Sequence, residues 1–280
     1  MRAARRPSSQ LVWLLPAAAF LAVFFVYPLA GVVARSFGGA PLGLGHYARA
    51  VQQPVYLWVV LNTFGISASV AAICLVLGYP VAYVLARVPG RVLRVLIIFI
   101  VVPYFTGSLV RTYAWMVLLG REGVVNQLLL RVGLTERPLP LMYNRFGVLV
   151  GMSYVLLPYM VLALYGVMKG IDSGLVRAAR SLGATGPQAF YRVYLPLTLP
   201  GIGGGSLLVF ILSLGFFITP ALMGSPRETM IAMVIENQVG VVLNWGFASA
   251  LAMVLLICTV LGFLVYDRVL GLERLFEAKV

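Results

Sequence analysis

The chain has 280 residues, of which 61% are hydrophobic and 10% are charged, so it has too few polar side chains to cover a soluble globule and is predicted to be an integral membrane protein. Lys and Arg outnumber Asp and Glu by 21 to 8. The basic residues lie in short clusters between apolar runs and form no patch interleaved with aromatic residues, a distribution that excludes a nucleic-acid partner.

Six apolar runs approach the roughly 20 residues that a helix needs to cross a bilayer. They predict transmembrane helices at residues 11–33, 57–86, 96–119, 146–167, 197–223 and 242–266. An Arg-rich start before an apolar run also fits a secretory signal peptide, but this run exceeds a usual signal core and its removal would leave an odd number of spans. Between the runs, residues 34–56 are predicted to be a loop, and residues 120–144 a re-entrant or interfacial element.

The distribution of positive charge predicts the orientation of these six spans. The segments on the N-terminal side hold thirteen Lys and Arg, and the opposite loops hold seven. Because cytoplasmic loops of membrane proteins are enriched in Lys and Arg, both termini and the segment from Lys169 to Arg192 are predicted to face the cytoplasm.

A polar stretch, Asp172 to Pro200, interrupts the apolar sequence between the fourth and fifth spans. A first short helix is predicted to begin at Asp172 or Ser173 and to end at Gly183. A second is predicted after the turn Thr185-Gly186-Pro187, ending at Leu195-Pro196. Leu175, Ala178, Ala179 and Leu182 share one face of the first helix by their spacing. The stretch therefore predicts a two-helix finger that is too short and too charged to cross a bilayer.

The spacing in this finger resembles the EAA loop of ABC importer permeases, which has Glu-Ala-Ala, three residues, Gly, nine residues and Ile-x-Leu-Pro. Here Arg177-Ala178-Ala179 is followed after three residues by Gly183, and after nine more by Val193-Tyr194-Leu195-Pro196. Arg177 stands where the family usually has Glu, and Val193 replaces Ile. The resemblance implies a coupling helix that docks on a cytoplasmic ATPase, with these coupling residues: Asp172, Arg177, Ala178, Ala179, Gly183, Leu195 and Pro196.

Further motifs resemble the spermidine/putrescine branch of type I permeases, over nearly the whole chain. They are Asn62-Thr63, Gly78-Tyr79-Pro80 with Ala82-Tyr83, the run Ser108 to Trp115, Gly123, Asn126, the run Thr219 to Gly224, and Asn237-Gln238 before Trp245. This resemblance implies an all-α permease fold with six transmembrane helices in the bacterial inner membrane, and a polyamine substrate. Related permeases for ferric iron, thiamine and aminoethylphosphonate share parts of the pattern, so these solutes stay open as alternatives.

The resemblance also implies partners and a division of the chain. The expected partners are a second homologous permease, two ATPase subunits that bind ATP and Mg, and an extracytoplasmic solute-binding protein. Residues 1–56 would hold an N-terminal cytoplasmic tail, the first transmembrane helix and a periplasmic loop. Residues 57–267 would form the permease core, with a coupling loop at 169–196, and residues 268–280 a cytoplasmic tail.

Catalytic chemistry is not expected in this chain. His46 is the single histidine, the Gly-rich run at 201–206 lacks the spacing of a phosphate-binding loop, and both Cys74 and Cys258 lie inside apolar runs, as packing residues do. ATP hydrolysis is therefore expected in a separate subunit, and neither a cofactor nor a metal is expected here. A stand-alone secondary transporter is the alternative from another class, but ion-coupled carriers usually bury acids in their spans, and the central portions of these spans contain none.

Charged and aromatic residues near the membrane are the candidate pathway residues. Arg111, within the third run, could line or gate the pathway; it could instead snorkel, or pair with backbone carbonyls or a carboxylate such as Glu236. Glu236, predicted in the loop before the sixth span, could attract a cationic polyamine at the outer mouth. Tyr113, Trp115 and Trp245 could offer aromatic faces to that cation, or could be interfacial belt residues.

Overall fold

A computed structural model describes residues 15–38 and 43–270, and every regular element within them is helical. These residues form two compact units. One unit comprises the residues up to Pro54 together with Ile235–Leu256, and the other comprises Val55–Val234 and the residues from Ile257 onward. The predicted all-α fold class is confirmed.

The helices are numbered in chain order. They are α1 (Leu15–Ser36), α2 (Gly45–Gln52), α3 (Pro54–Leu85), α4 (Gly90–Val101), α5 (Ser108–Leu119), α6 (Val124–Arg131), α7 (Arg145–Met168), α8 (Ser173–Ser181), α9 (Gly186–Leu214), α10 (Ile218–Met223), α11 (Ile231–Gly240) and α12 (Trp245–Leu270). Short 3₁₀ turns lie after α4, at Val102–Phe105, and after α10, at Pro226–Glu228. Wide π-type turns lie within α1 and α9.

Five helices in the described part of the chain, α1, α3, α7, α9 and α12, are long and apolar enough to cross a membrane. The expectation of one continuous helix over residues 96–119 is wrong. Helices α4 and α5 have 12 residues each, so each spans about 18 Å at 1.5 Å per residue, short of a bilayer core. Pro103 has no N–H to continue the α-helical hydrogen bonds, the chain tightens into a 3₁₀ turn at Val102–Phe105, and Gly107 has an extended backbone, so the helix is interrupted there.

Three other expectations need correction. The predicted loop at 34–56 contains α2. Glu236 lies in α11 rather than in a loop. The fifth span begins earlier than predicted and ends at Leu214, where Gly215 follows the last helical turn and α10 starts anew.

The core of the larger unit lies among α3, α7 and α9. Its buried side chains include Ile66, Val70 and Cys74 from α3, Met152, Leu156, Met160 and Leu164 from α7, and Val209 from α9. The Gly-rich run at 201–206 packs closely against α7: an added Cβ at Gly205 would lie 2.9 Å from Met160 Sδ, and one at Gly201 would lie 3.0 Å from Val167 Cβ. Small residues four apart thus let α9 approach α7 closely.

A buried amide fixes the segment that follows α5. The Asn126 side chain donates to the carbonyls of Gly120 (3.0 Å) and Leu139 (3.1 Å), and it accepts from the Leu139 N–H (2.8 Å). These three bonds satisfy a fully buried amide and tie the irregular chain before α7 back to the end of α5.

Candidate coupling finger and pathway residues

The first leg of the finger is helix α8, and its two ends are set by local side-chain and backbone bonds. Asp172 caps the N-terminus, because its carboxylate accepts from the Gly174 N–H at 2.7 Å. At the other end Gly183 has a φ of +91°, and the Ala184 N–H bonds to the Ala179 carbonyl at 3.0 Å. This is the Schellman arrangement, in which glycine takes the left-handed position.

The second leg is the start of α9. Thr185 caps it: the Thr185 hydroxyl accepts from the Gln188 N–H, and the Gln188 side chain accepts from the Thr185 N–H at 2.9 Å. The expectation that this helix ends at Leu195-Pro196 is wrong, since α9 continues into its membrane-spanning part. A wide π-type turn at Phe190–Tyr194 precedes Pro196, where the proline supplies no N–H to the carbonyl one turn back.

The residues of the finger that are expected to contact an ATPase are exposed or half-buried. No residue of α8 is buried, Ala178 and Arg177 are exposed, and Ala179 is half-buried. Leu182, which follows α8, is 90% exposed. Leu195 is half-buried and Pro196 exposed where the second leg joins the span. The arrangement presents a small-residue, partly apolar surface that a protein partner could cover.

An aromatic cluster anchors the finger to α3. The ring centroid of Tyr83 lies 5.8 Å from that of Phe190 and 5.3 Å from that of Tyr194. The guanidinium of Arg87 lies 3.3 Å from the Tyr83 centroid and 4.8 Å from the Tyr194 centroid. Each aromatic pair adds about 0.5–1.5 kcal/mol beyond the area it buries, so the base of the finger and the end of α3 are joined. The spacing of Tyr83 with Arg87 and of Phe190 with Tyr194, four residues apart, was a signal that the sequence analysis missed.

Helix α5 places its candidate pathway residues on different faces. Arg111 borders a cavity of about 240 Å³ whose other lining residues are Val81, Phe99, Ile100, Tyr154, Leu157, Pro158 and Val161. Trp115, one turn further along, packs edge-on against Tyr154 with ring centroids 5.4 Å apart. Tyr113 is exposed and borders a different cavity. The structure therefore brings Arg111 and Trp115 to the same neighbour on α7, and it separates Tyr113 from them.

A second contact of α5 joins two of the sequence motifs. The Thr112 hydroxyl lies 3.3 Å from the Thr219 hydroxyl, and both residues are buried. The two motifs from Ser108 to Trp115 and from Thr219 to Gly224 thus meet through this pair. Their spacing along the chain gave no sign of the contact, because it joins residues 107 positions apart.

Glu236 and Trp245 belong to the smaller unit. Glu236 lies on α11 and is exposed, and Trp245 begins α12 with about half of its surface exposed. The guanidinium of Arg35 lies 5.8 Å from a Trp245 ring centroid, so this ring already accepts a cation. His46 is half-buried with its ring 6.2 Å from that of Phe247, and no group of three metal-ligating side chains occurs among the described residues.

Residues 75–271 match the model of a protein family described as the inner membrane component of binding-protein-dependent transport systems. The chain belongs to this family. The permease is 38% identical to the spermidine/putrescine transport system permease protein PotB of Escherichia coli K12, over 85% of each chain. It is 34% identical to PotB of Haemophilus influenzae, over 88% of this chain and 84% of that one.

A crystal structure of a bacterial alginate ABC transporter, in complex with its alginate pentasaccharide-bound periplasmic protein, contains a chain of the same fold. The TM-score is 0.71 at 19% identity, and the match covers 94% of each chain. The predicted ABC permease family, the multi-pass inner-membrane location and the role as a transport subunit rather than an enzyme are therefore confirmed. A permease of this family works with a binding protein.

Proposed function

We propose that this permease is one half of the membrane channel of an ABC importer, and that its solute is a polyamine such as spermidine or putrescine. The observation that carries the proposal is the exposed finger, which interrupts two apolar spanning helices and has the spacing of an EAA loop. The substrate assignment is supported by the names of the relatives that are 34% and 38% identical to this chain.

The finger is suited to transmit movement of an ATPase into the membrane. Two ATPase subunits, which bind ATP and Mg, would close and move the finger of each permease subunit. Helix α9 runs without a break from the finger into its spanning part, and it packs closely on α7 at Gly201 and Gly205. The aromatic cluster joins α3 to the same base. A displacement of the finger would therefore move three core helices together between inward-open and outward-open states.

The proposed topology has six membrane crossings and both termini in the cytoplasm. Five long helices alone would put the termini on opposite sides, so α4 and α5 together must supply the remaining crossing. Cysteine labelling tests this in a variant that lacks Cys74 and Cys258. A cysteine at Ser181 should react with a membrane-impermeant reagent only from the cytoplasm, and one at Gln52 only from the outside. Labelling of both from one side would contradict the topology.

Reconstitution tests the overall assignment. The permease is co-expressed with its partner permease and ATPase, and uptake of labelled spermidine is measured in proteoliposomes with the solute-binding protein. Uptake should require ATP hydrolysis, and unlabelled putrescine should compete. Competition by ferric iron, thiamine or aminoethylphosphonate instead would reassign the substrate. Uptake that needs an ion gradient and no ATPase would replace the importer with a secondary transporter.

Coupling by the finger is tested with deletion and substitution. Removing residues 178–183 should abolish ATP-dependent uptake while the permease still assembles in the membrane. Ala178→Leu is the milder variant: Ala178 is exposed, so the permease should stay folded, but overpacking at the docking surface should weaken ATPase binding by about tenfold or more. Leu134→Trp, at an exposed site outside the finger, serves as the control. Normal uptake in the deletion variant would refute the coupling role.

The candidate pathway residues have different proposed roles. Glu236 offers an exposed negative charge to the polyamine, and Trp245, Trp115 and Tyr113 offer aromatic faces. Arg111 has the same sign of charge as the substrate, so its proposed role is in the wall or gate rather than in binding. Because Glu236→Gln removes one exposed charge, we expect its KM to rise about two- to fivefold. Glu236→Asp keeps the charge, and its KM should stay close to that of the wild type. An unchanged KM and maximal rate for Glu236→Gln would remove it from the pathway.

A further inference from the structure

A cavity of about 290 Å³ lies at the base of the finger, within the larger unit. The end of α3, the end of α7, helix α8 and the start of α9 enclose it. Its twelve lining residues include Arg87, Arg177 and Arg180, and neither Asp nor Glu is among them. The carboxylate of the nearby Asp172 is already bonded to the α8 N-terminus. Three arginine residues therefore border one space whose lining residues include no acid.

Aromatic side chains hold one of these arginines in place. Arg87 stacks on Tyr83 and Tyr194, which also line the cavity. Arg87 also donates a hydrogen bond to the Tyr83 carbonyl at 3.5 Å. A guanidinium stacked by its face keeps its N–H edge available for an acceptor in its own plane, and phosphate oxygens match that edge in pairs.

We propose that this cavity binds a phosphate-bearing anion, supplied either by an anionic lipid headgroup or by free phosphate. Three clustered guanidinium groups attract such an anion and repel a polyamine, so the cavity is distinct from the proposed transport route. Basic pockets between membrane helices on the cytoplasmic side are typical binding places for anionic headgroups. The cavity lies beside the last turns of α3 and α7 and the first turns of α9, where these helices would leave the membrane on the cytoplasmic side. This placement rests on the cytoplasmic orientation of the finger in the proposed function.

The test uses the full-length permease purified with its partner subunits in detergent. Dioctanoyl phosphatidylglycerol, dioctanoyl phosphatidylcholine and inorganic phosphate are the probes, and native mass spectrometry with thermal-shift titration gives their affinities. The variant is Arg177→Gln with Arg180→Gln, at exposed positions where the fold does not depend on the side chain. The matched control is Arg91→Gln with Arg192→Gln, which removes the same charge at exposed residues that do not line the cavity.

The wild type should bind phosphatidylglycerol at least about tenfold more tightly than phosphatidylcholine. The cavity variant should lose about tenfold or more in affinity, and the control about twofold or less. Displacement of phosphatidylglycerol by inorganic phosphate would identify a free anion as a sufficient occupant, whereas no displacement would identify the lipid; either supports the proposal.

Two results would overturn the inference. Equal losses in the two double variants would show general attraction to a basic surface. If the permease pair without ATPase binds phosphatidylglycerol but the complex with ATPase does not, and the cavity variant no longer binds the ATPase, Arg177 and Arg180 would instead contact an acidic surface of the ATPase. Because binding is measured without transport, its failure would leave the proposed importer function standing, and a failure of ATP-dependent uptake would leave the binding result unchanged.

Discussion

Replacing Gly183 with alanine would test whether the finger has the observed cap in solution. Gly183 has a φ of +91°, in the region that glycine adopts readily and that costs other residues roughly 1–2 kcal/mol. An added Cβ would meet no atom within 4 Å. Gly183→Ala therefore introduces backbone strain without a steric clash, and its effect should be confined to the end of α8.

The size of the effect follows from what holds the cap closed. Two backbone bonds close it, from the Gly183 N–H to the Arg180 carbonyl and from the Ala184 N–H to the Ala179 carbonyl, both 3.0 Å. Val176 of α8 packs on the core two turns before the cap, but no residue of the helix is buried, so tertiary packing adds little to the two cap bonds. A strain of roughly 1–2 kcal/mol should then raise the open fraction of the cap by about 5- to 30-fold.

Hydrogen exchange measured by mass spectrometry would detect this opening. In peptides that cover residues 173–184, the Ala184 amide should exchange about 5- to 30-fold faster in Gly183→Ala than in the wild type. Gly183→Asn is the matched control, since asparagine tolerates the left-handed conformation, and its exchange should stay near the wild-type rate. Unchanged exchange in Gly183→Ala would mean that the left-handed cap does not form in solution, which would refute the reasoning.

Two further substitutions test packing and the buried amide. Gly205→Leu should lower the free energy of unfolding by about 1–3 kcal/mol or more, because even a Cβ there would lie 2.9 Å from Met160 Sδ. Gly204→Leu is the control: a Cβ at this position meets no atom within 4 Å, so the thermal midpoint should change little. Asn126→Ala should cost roughly 1–3 kcal/mol by leaving partly buried backbone groups of Gly120 and Leu139 unpaired, while Gln127→Ala, at an exposed site, should cost about 1 kcal/mol or less. Equal melting temperatures within either pair would contradict the packing or hydrogen bonds described for that site.

The parts of the finger that the sequence predicted are those whose determinants are local. The cap at Asp172 and the stop at Gly183 depend on residues within one or two turns, and both were confirmed. The end predicted at Pro196 was wrong, because the helix continues through Pro196 after a π-type turn at Phe190–Tyr194. Phe190 and Tyr194 in this turn both pack against Tyr83 of α3, a contact between distant segments that local sequence does not indicate.

Contacts between distant segments set the limit of what could be predicted. The apolar run at 96–119 has the composition of a span, and average hydropathy does not register that Pro103 and Gly107 interrupt it. The contact of Trp115 with Tyr154 joins α5 to α7, and hydropathy and spacing along the chain did not indicate it. The sequence therefore identifies candidate pathway residues by their type, but it does not predict which helix face each one lies on or which residues it contacts.

The break between α4 and α5 bears more directly on the proposed wall or gate role of Arg111 than on the proposed role of Tyr113. Backbone that leaves a helix at membrane depth is tolerated where protein covers it or where it lines a water-filled space, because lipid cannot pair its polar groups. Residues 102–107 form such a break, and Arg111 lies one turn beyond it, with its amide bonded to the Gly107 carbonyl. The cavity that Arg111 borders also includes Phe99 from the other side of the break. Tyr113 borders a different cavity, so a gate at the break would involve Arg111 directly and Tyr113 only through the turn of α5 between them.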